Sequence, residues 1–215
     1  MQEADEPDRL YIQLYHHLAQ AVDLTGLEVM EVSCGHGGGA SYIKRYLQPK
    51  SMLGVDLNPR AIDFCRRHHK AKDLTFLQAN AESLHFEDQA FDAILNLEAS
   101  HCYGDMARFL KGVVRLLRPG GYFLFADFRA HADQALLQVQ LEQSGLEIVK
   151  AENITPNVLK ALELASEERV ALIRQFAPGL LQSWFKRFAA VKGSSIFNAF
   201  QAGEMVYFSY VLRAC

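Results

Sequence analysis

The 215 residues contain no run of eighteen apolar side chains and no leader-like N-terminal pattern, which predicts a cytoplasmic protein without stable membrane insertion. Long blocks of one charge are also missing: 22 Lys and Arg intermix with 25 Asp and Glu for a net charge of −3, so nothing draws in a polyanion, and nucleic acid is not expected as a partner. The four cysteines, Cys34, Cys65, Cys102 and Cys215, are scattered without a C-x-x-C pair and read as free thiols. None of the eight histidines stands at metal-ligand spacing from a thiol or carboxylate, so no metal site is expected. Internal repeats and low-complexity tracts are absent too, which argues against a solenoid.

Half of the side chains are apolar, enough for one core and a single domain over 1–215. Leu10, Leu14, Leu18 and Val22 recur near helical spacing and predict a helix from Arg9 to Val22 within an N-terminal segment 1–26. Short apolar runs then alternate with helical patterns. Strands are expected over Leu27–Val32, Ser51–Asp56, Leu74–Gln78, Phe91–Asn96, Tyr122–Asp127 and Leu146–Asn153, with helices over Ala40–Leu47, Pro59–His69, Met106–Leu117 and Ala132–Ser144. Such alternation implies βαβ units, right-handed crossovers and a parallel α/β sheet, here a Rossmann-like core over 27–154. Residues 155–202 read as a helical insertion, a cap over the substrate, before a last strand in 203–215.

The densest signal is Val29-Met30-Glu31-Val32-Ser33-Cys34-Gly35-His36-Gly37-Gly38-Gly39, a strand running into glycines that open a helix and let a ligand approach the backbone. Asp56 ends the next strand about twenty residues on, where a carboxylate can take both hydroxyls of a ribose. Together they predict an adenosine-type cofactor. A nicotinamide dinucleotide fits these two features as well, its pyrophosphate over the helix N-terminus. Three others favour a different cofactor. Glu31 is an acid inside a strand that a dinucleotide fold keeps apolar. Asn80, in Gln78-Ala79-Asn80-Ala81-Glu82, offers an amide to an adenine. Asn96-Leu97-Glu98 ends the fourth strand beside the glycine loop.

Taken in order, Glu31 to Gly39, Asp56, Asn80-Ala81-Glu82, Phe91-Asp92 and Leu117-Arg118-Pro119-Gly120-Gly121 resemble the successive motifs of class I S-adenosylmethionine-dependent methyltransferases. A narrower similarity, to the phthiotriol/phenolphthiotriol dimycocerosate methyltransferases and related polyketide O-methyltransferases, is carried by Asp5-Glu6-Pro7, Val32–Tyr42, Glu98-Ala99-Ser100-His101-Cys102-Tyr103 and Gly203-Glu204. The resemblance implies a seven-stranded sheet with an antiparallel last strand. It also implies that Glu31, Gly35 and Gly37 line the methionine end of S-adenosylmethionine, with Ser33 and Asn96 among the cofactor-binding residues. Asp56 and Leu57 would hold its ribose, and Asn80, Ala81 and Glu82 its adenine.

For an alcohol acceptor a proton must leave, and His101, just past the fourth strand, is the expected general base, an imidazole having an unperturbed pKa of about 6.5. Glu98 is the alternative catalytic group, and Tyr103, Trp184 and Phe188 are expected to meet the substrate. The aromatic character of the insertion points to a hydrophobic hydroxylated small molecule such as a polyketide or lipid. Carbon or nitrogen methylation, and less so a nicotinamide-dependent oxidoreductase, remain alternatives at this point. Cys34 reads as a small filler in the turn.

Overall fold

The computed structural model describes residues 3–176, 178 and 190–215. A 3₁₀ turn, Glu3–Asp8, leads into α1 (Arg9–Ala19). The alternating core follows: β1 (Glu28–Val32), α2 (Gly38–Tyr46), β2 (Ser51–Asp56), α3 (Pro59–His68), β3 (Leu74–Gln78), β4 (Phe91–Leu97), α4 (Met106–Leu116) and β5 (Leu117–Ala130). The chain continues through α5 (Gln134–Glu142), β6 (Leu146–Asn153), α6 (Thr155–Leu164), α7 (Ser166–Phe176), α8 (Ser195–Gln201) and β7 (Met205–Ala214).

Local chemistry explains the boundaries. Asn58 caps α3 by accepting from the Arg60 amide at 3.0 Å, and Pro59 fills the first helical position, where its missing N–H costs nothing. Asp105 caps α4 by accepting from the Arg108 amide at 2.9 Å. The strand expected over Tyr122–Asp127 begins earlier: Arg118-Pro119-Gly120-Gly121 forms a register break between β4 and β5 rather than a separate turn. Gly121 is required there, because a Cβ would stand 2.9 Å from the Asp92 carbonyl.

The seven strands form one mixed sheet in the order β3-β2-β1-β4-β5-β7-β6, with one antiparallel pair. β1 runs parallel to both β2 and β4, and the order reverses there, so the crevice for a ligand lies at the carboxyl end of β1. Register aligns that rim: Val32 stands opposite Val55 and Asn96, Asp56 opposite Gln78, and Leu97 opposite Ala126.

The chain divides into two compact units. The first comprises Met1–Asp127, Leu136–Glu152 and Ser209–Cys215. Its core is the apolar interior of the strands, Met30, Met52, Ile94, Leu95, Phe123 and Phe125 among them, together with Phe109 and Leu110 of α4. The second comprises Phe128–Ala135 and Asn153–Phe208. There the rings of Phe200 and Tyr207 pack on Phe128, and Thr155 accepts from the Tyr207 amide at 2.8 Å. The helical insertion read over 155–202 belongs to this unit, and α6, α7 and α8 bear out its helical character over the residues described. Trp184 and Phe188 lie outside the described residues.

Candidate active site

The glycine loop is shaped from both sides. Gly37 caps α2 with φ +75°, and a Cβ there would come within 2.7 Å of the Phe76 ring and 2.9 Å of Cys65 Sγ. Its bare backbone therefore faces the interior as much as the ligand side. Gly35 (φ +54°) and Gly38 differ, because a Cβ on either would meet nothing within 4 Å. That open space is what a ligand over the loop requires. Cys34 and Cys65 are buried under the loop, and burial pushes both thiols up, so Cys34 is a filler, as expected.

Asp56 is the hinge of the cofactor side. One carboxylate oxygen accepts from the Gly35 amide at 2.9 Å and the other from the Asn58 amide at 2.8 Å. Each keeps lone pairs for a ribose hydroxyl. Leu57 beside it is 64% exposed and presents an apolar surface. In the turn after β3, Asn80 accepts from the Glu82 amide at 2.9 Å, Ala81 is buried, and Glu82 accepts from the Gly104 amide at 2.7 Å. Glu82 thus ties the expected adenine edge to the segment that carries His101.

On β1, Glu31 is 1% exposed, yet among the described residues neither of its carboxylate oxygens has a hydrogen bond of ordinary geometry. Burial pushes its carboxyl up to about 7, while the nearby Tyr15 hydroxyl and Ala40 amide pull part of the way back. Asn96 is also fully buried. Its amide nitrogen donates to the Val32 carbonyl at 2.9 Å and to the Tyr103 hydroxyl at 2.8 Å, leaving Oδ1 without a partner. Three buried acceptor oxygens at one rim fit a donor-rich cation, which the ammonium of S-adenosylmethionine is. The residues present therefore suit that cofactor.

Beyond β4, Glu98 turns the chain with φ +50°, and the short 3₁₀ helix Ser100–Cys102 follows. The carboxylate that meets His101 is Asp127, on β5, which the sequence did not single out. Asp127 is wholly buried; it accepts from His101 Nδ1 at 2.7 Å, the His101 amide at 2.9 Å and Ser100 Oγ at 2.6 Å. With Nδ1–H given to a carboxylate, Nε2 is left as the acceptor nitrogen, and the His101 side chain is 27% exposed. Glu98 is exposed and acts electrostatically on Tyr15 instead.

Tyr103 is also turned from its expected place against substrate. Its hydroxyl points back to β1 and β4, 2.7 Å from Ser33 Oγ and 2.8 Å from Asn96 Nδ2, and its ring packs edge-on against Phe109. Burial pushes that hydroxyl up to about 12, so it stays protonated. Ser33, Asn96 and Tyr103 form one brace between the glycine loop and the His101 segment. Two partners escaped the sequence reading, Asp127 and Tyr15. The signal for the first was an acid closing the apolar strand Tyr122–Ala126, as Asp56 closes its own; for the second it was Gly39 inside a helix.

The chain matches a family model described as a methyltransferase domain over residues 30–125. It is 41% identical over 210 residues to the phthiotriol/phenolphthiotriol dimycocerosates methyltransferase of Mycobacterium tuberculosis, covering 98% of this chain and 78% of that protein. It is 40% identical over 192 residues to a fatty-acid O-methyltransferase of Mycolicibacterium smegmatis, covering 89% and 70%. Among solved structures, a cyclopropane synthase of M. tuberculosis superposes with a TM-score of 0.77 at 14% identity, over 94% of this chain and 83% of that one, which supports the fold. These likenesses remove the nicotinamide alternative, and with the strand order, the glycine loop and the orphaned acceptors they make the chain a class I S-adenosylmethionine-dependent methyltransferase belonging to the phthiotriol/phenolphthiotriol dimycocerosates methyltransferase family.

Proposed function

We propose that the enzyme methylates a hydroxyl group of a lipophilic small molecule, polyketide-like or lipid-like, with His101 as general base. The observation that carries this reading is the His101–Asp127 pair, since an alcohol must lose a proton as its oxygen attacks, whereas an amine already in its free-base form or a carbanion already formed can attack without one. When bound, S-adenosylmethionine supplies a methyl group on a sulfonium, activated for in-line displacement. The chain's own residues supply the rest. His101 Nε2 takes the hydroxyl proton, and Asp127 stabilises the imidazolium so formed and fixes its tautomer.

On the cofactor side Asp56 and Leu57 are assigned to the ribose, and Asn80, Ala81 and Glu82 to the adenine. Glu31 with Gly35 is assigned to the methionine end, supported by the unpartnered oxygens and the open space above the loop. Trp184 and Phe188 are assigned to the acceptor on composition alone. The relatives' names, which speak of dimycocerosates and fatty acids, favour a long apolar acceptor over nucleic acid. Among the described residues no helix is long and apolar enough to cross a membrane, and the cysteines are free, which supports a cytoplasmic site of action.

Labelled methyl transfer to a matched panel of apolar alcohols, amines and carbon acids tests the acceptor. Transfer to the alcohols that collapses in His101→Ala is expected. Transfer to nitrogen or carbon, indifferent to His101, would overturn the reading.

A further inference from the structure

We propose that Tyr15 is a positioning residue for the cofactor: from α1 it holds the buried Glu31 carboxylate as the ionised acceptor that a cationic methionine moiety requires. The inference rests on S-adenosylmethionine being the cofactor. No motif of the glycine loop includes Tyr15, which lies sixteen positions before Glu31 in a different element.

Two neighbouring residues of α2 bring the pair together. At Gly39 a Cβ would stand 1.9 Å from Tyr15 Cε1 and 2.2 Å from Cζ, so glycine alone admits the ring at this point. The backbone amide of the next residue, Ala40, lies near enough to Glu31 to pull its carboxyl down. The first turn of α2 thus seats the tyrosine with one residue and places the next near the carboxylate. Tyr15 also lines a cavity of about 300 Å³ with Gly38 and Gly39, which puts it at the edge of the loop.

The charges around the pair define its task. Asp56 at the end of β2 pushes the Glu31 carboxyl up in the same sense as burial does, and the thiols of Cys34 and Cys65 add no positive charge. Among the described residues, the Tyr15 hydroxyl and the Ala40 amide act to keep Glu31 ionised. Burial, Glu31 and Glu98 in turn push Tyr15 well above its ordinary range, so it remains a protonated donor. Loss of this hydroxyl leaves Glu31 with a stronger tendency to take up a proton, and a neutral carboxyl attracts a cation poorly.

Calorimetric titration with S-adenosylhomocysteine across about pH 5 to 9 reads this directly. In the wild type, affinity is expected to rise as pH passes about 7. Tyr15→Phe should move that midpoint up by roughly half to one unit and lower affinity near neutrality about three- to tenfold, with little loss at the alkaline end. Glu31→Gln should abolish the pH dependence. Difluorotyrosine at position 15 keeps the ring's shape and strengthens its donor, so it should move the midpoint down, and it serves where Tyr15→Phe does not fold. A midpoint that neither variant moves overturns the role of Tyr15. Failure of the wild type to bind S-adenosylhomocysteine at any pH overturns the cofactor assignment instead.

Discussion

Glu31 and Asp127 are both buried carboxylates at the rim of one sheet, on β1 and β5, and they have opposite surroundings. Asp127 accepts three hydrogen bonds from Ser100 and His101; Glu31 has none of ordinary geometry and its carboxyl is pushed up to about 7. A buried carboxylate is stable when donors replace the water it loses, and costly when they do not. The comparison separates a finished part of the site from an unfinished one. Asp127 has its donors within the chain, whereas among the described residues Glu31 does not, which fits the cofactor role proposed for it.

The largest effect should come from breaking the finished side. His101→Ala is expected to lower turnover with hydroxyl acceptors by about 10² to 10⁴, the usual worth of a positioned base, while S-adenosylhomocysteine affinity measured by calorimetry stays within about twofold. Asp127→Asn keeps the volume but removes the charge and disturbs the tautomer, and should cost roughly 10²-fold in turnover. In the double variant the losses should not multiply, because the two side chains act as a unit. A multiplied loss would show that Asp127 acts apart from His101.

On the unfinished side the signature is binding and stability. Asp56→Ala removes the partner of the Gly35 and Asn58 amides, and should weaken S-adenosylhomocysteine binding by about 10 to 10² while slowing turnover at saturation little. For Glu31 the sign follows from its raised carboxyl. The stability it contributes is fully present below its ordinary 4.5 and is lost as pH rises through about 7. Cofactor-free Glu31→Gln should therefore melt higher than the wild type at pH 8, by up to about 3 kcal/mol, and match it near pH 5. The smallest effect is expected from Tyr103→Phe, which leaves Ser33 and the Asn96 amide short of a partner and should cost about 1 to 2 kcal/mol in a denaturant titration.

The cofactor side was the more legible one because its parts are close in sequence. A strand, its glycine turn and the acid ending the next strand are set by local periodicity, and β2, β3 and β6 occupy the residues expected of them. The acceptor side was less legible: a positive φ at Glu98 turns the chain, and the pairing of Leu97 with Ala126 delivers residue 127, distant in sequence, to the His101 imidazole. The place of the Tyr103 hydroxyl was likewise not legible, because its partners, Ser33 and Asn96, lie on or beside β1 and β4.

By itself the sequence determined the alternation of strands and helices, the positive-φ glycines, the acid at each strand end and hence the class of cofactor, all of which follow from side-chain period and local backbone sterics. The tertiary structure decided which buried polar group is paired with which: Asp127 with His101, Tyr103 with Ser33 and Asn96, and Tyr15 over Gly39 toward Glu31. Those pairings depend on strand order and register, which bring together residues that no local interaction connects, and it is the desolvation of each group at its place in the sheet that makes its partner matter.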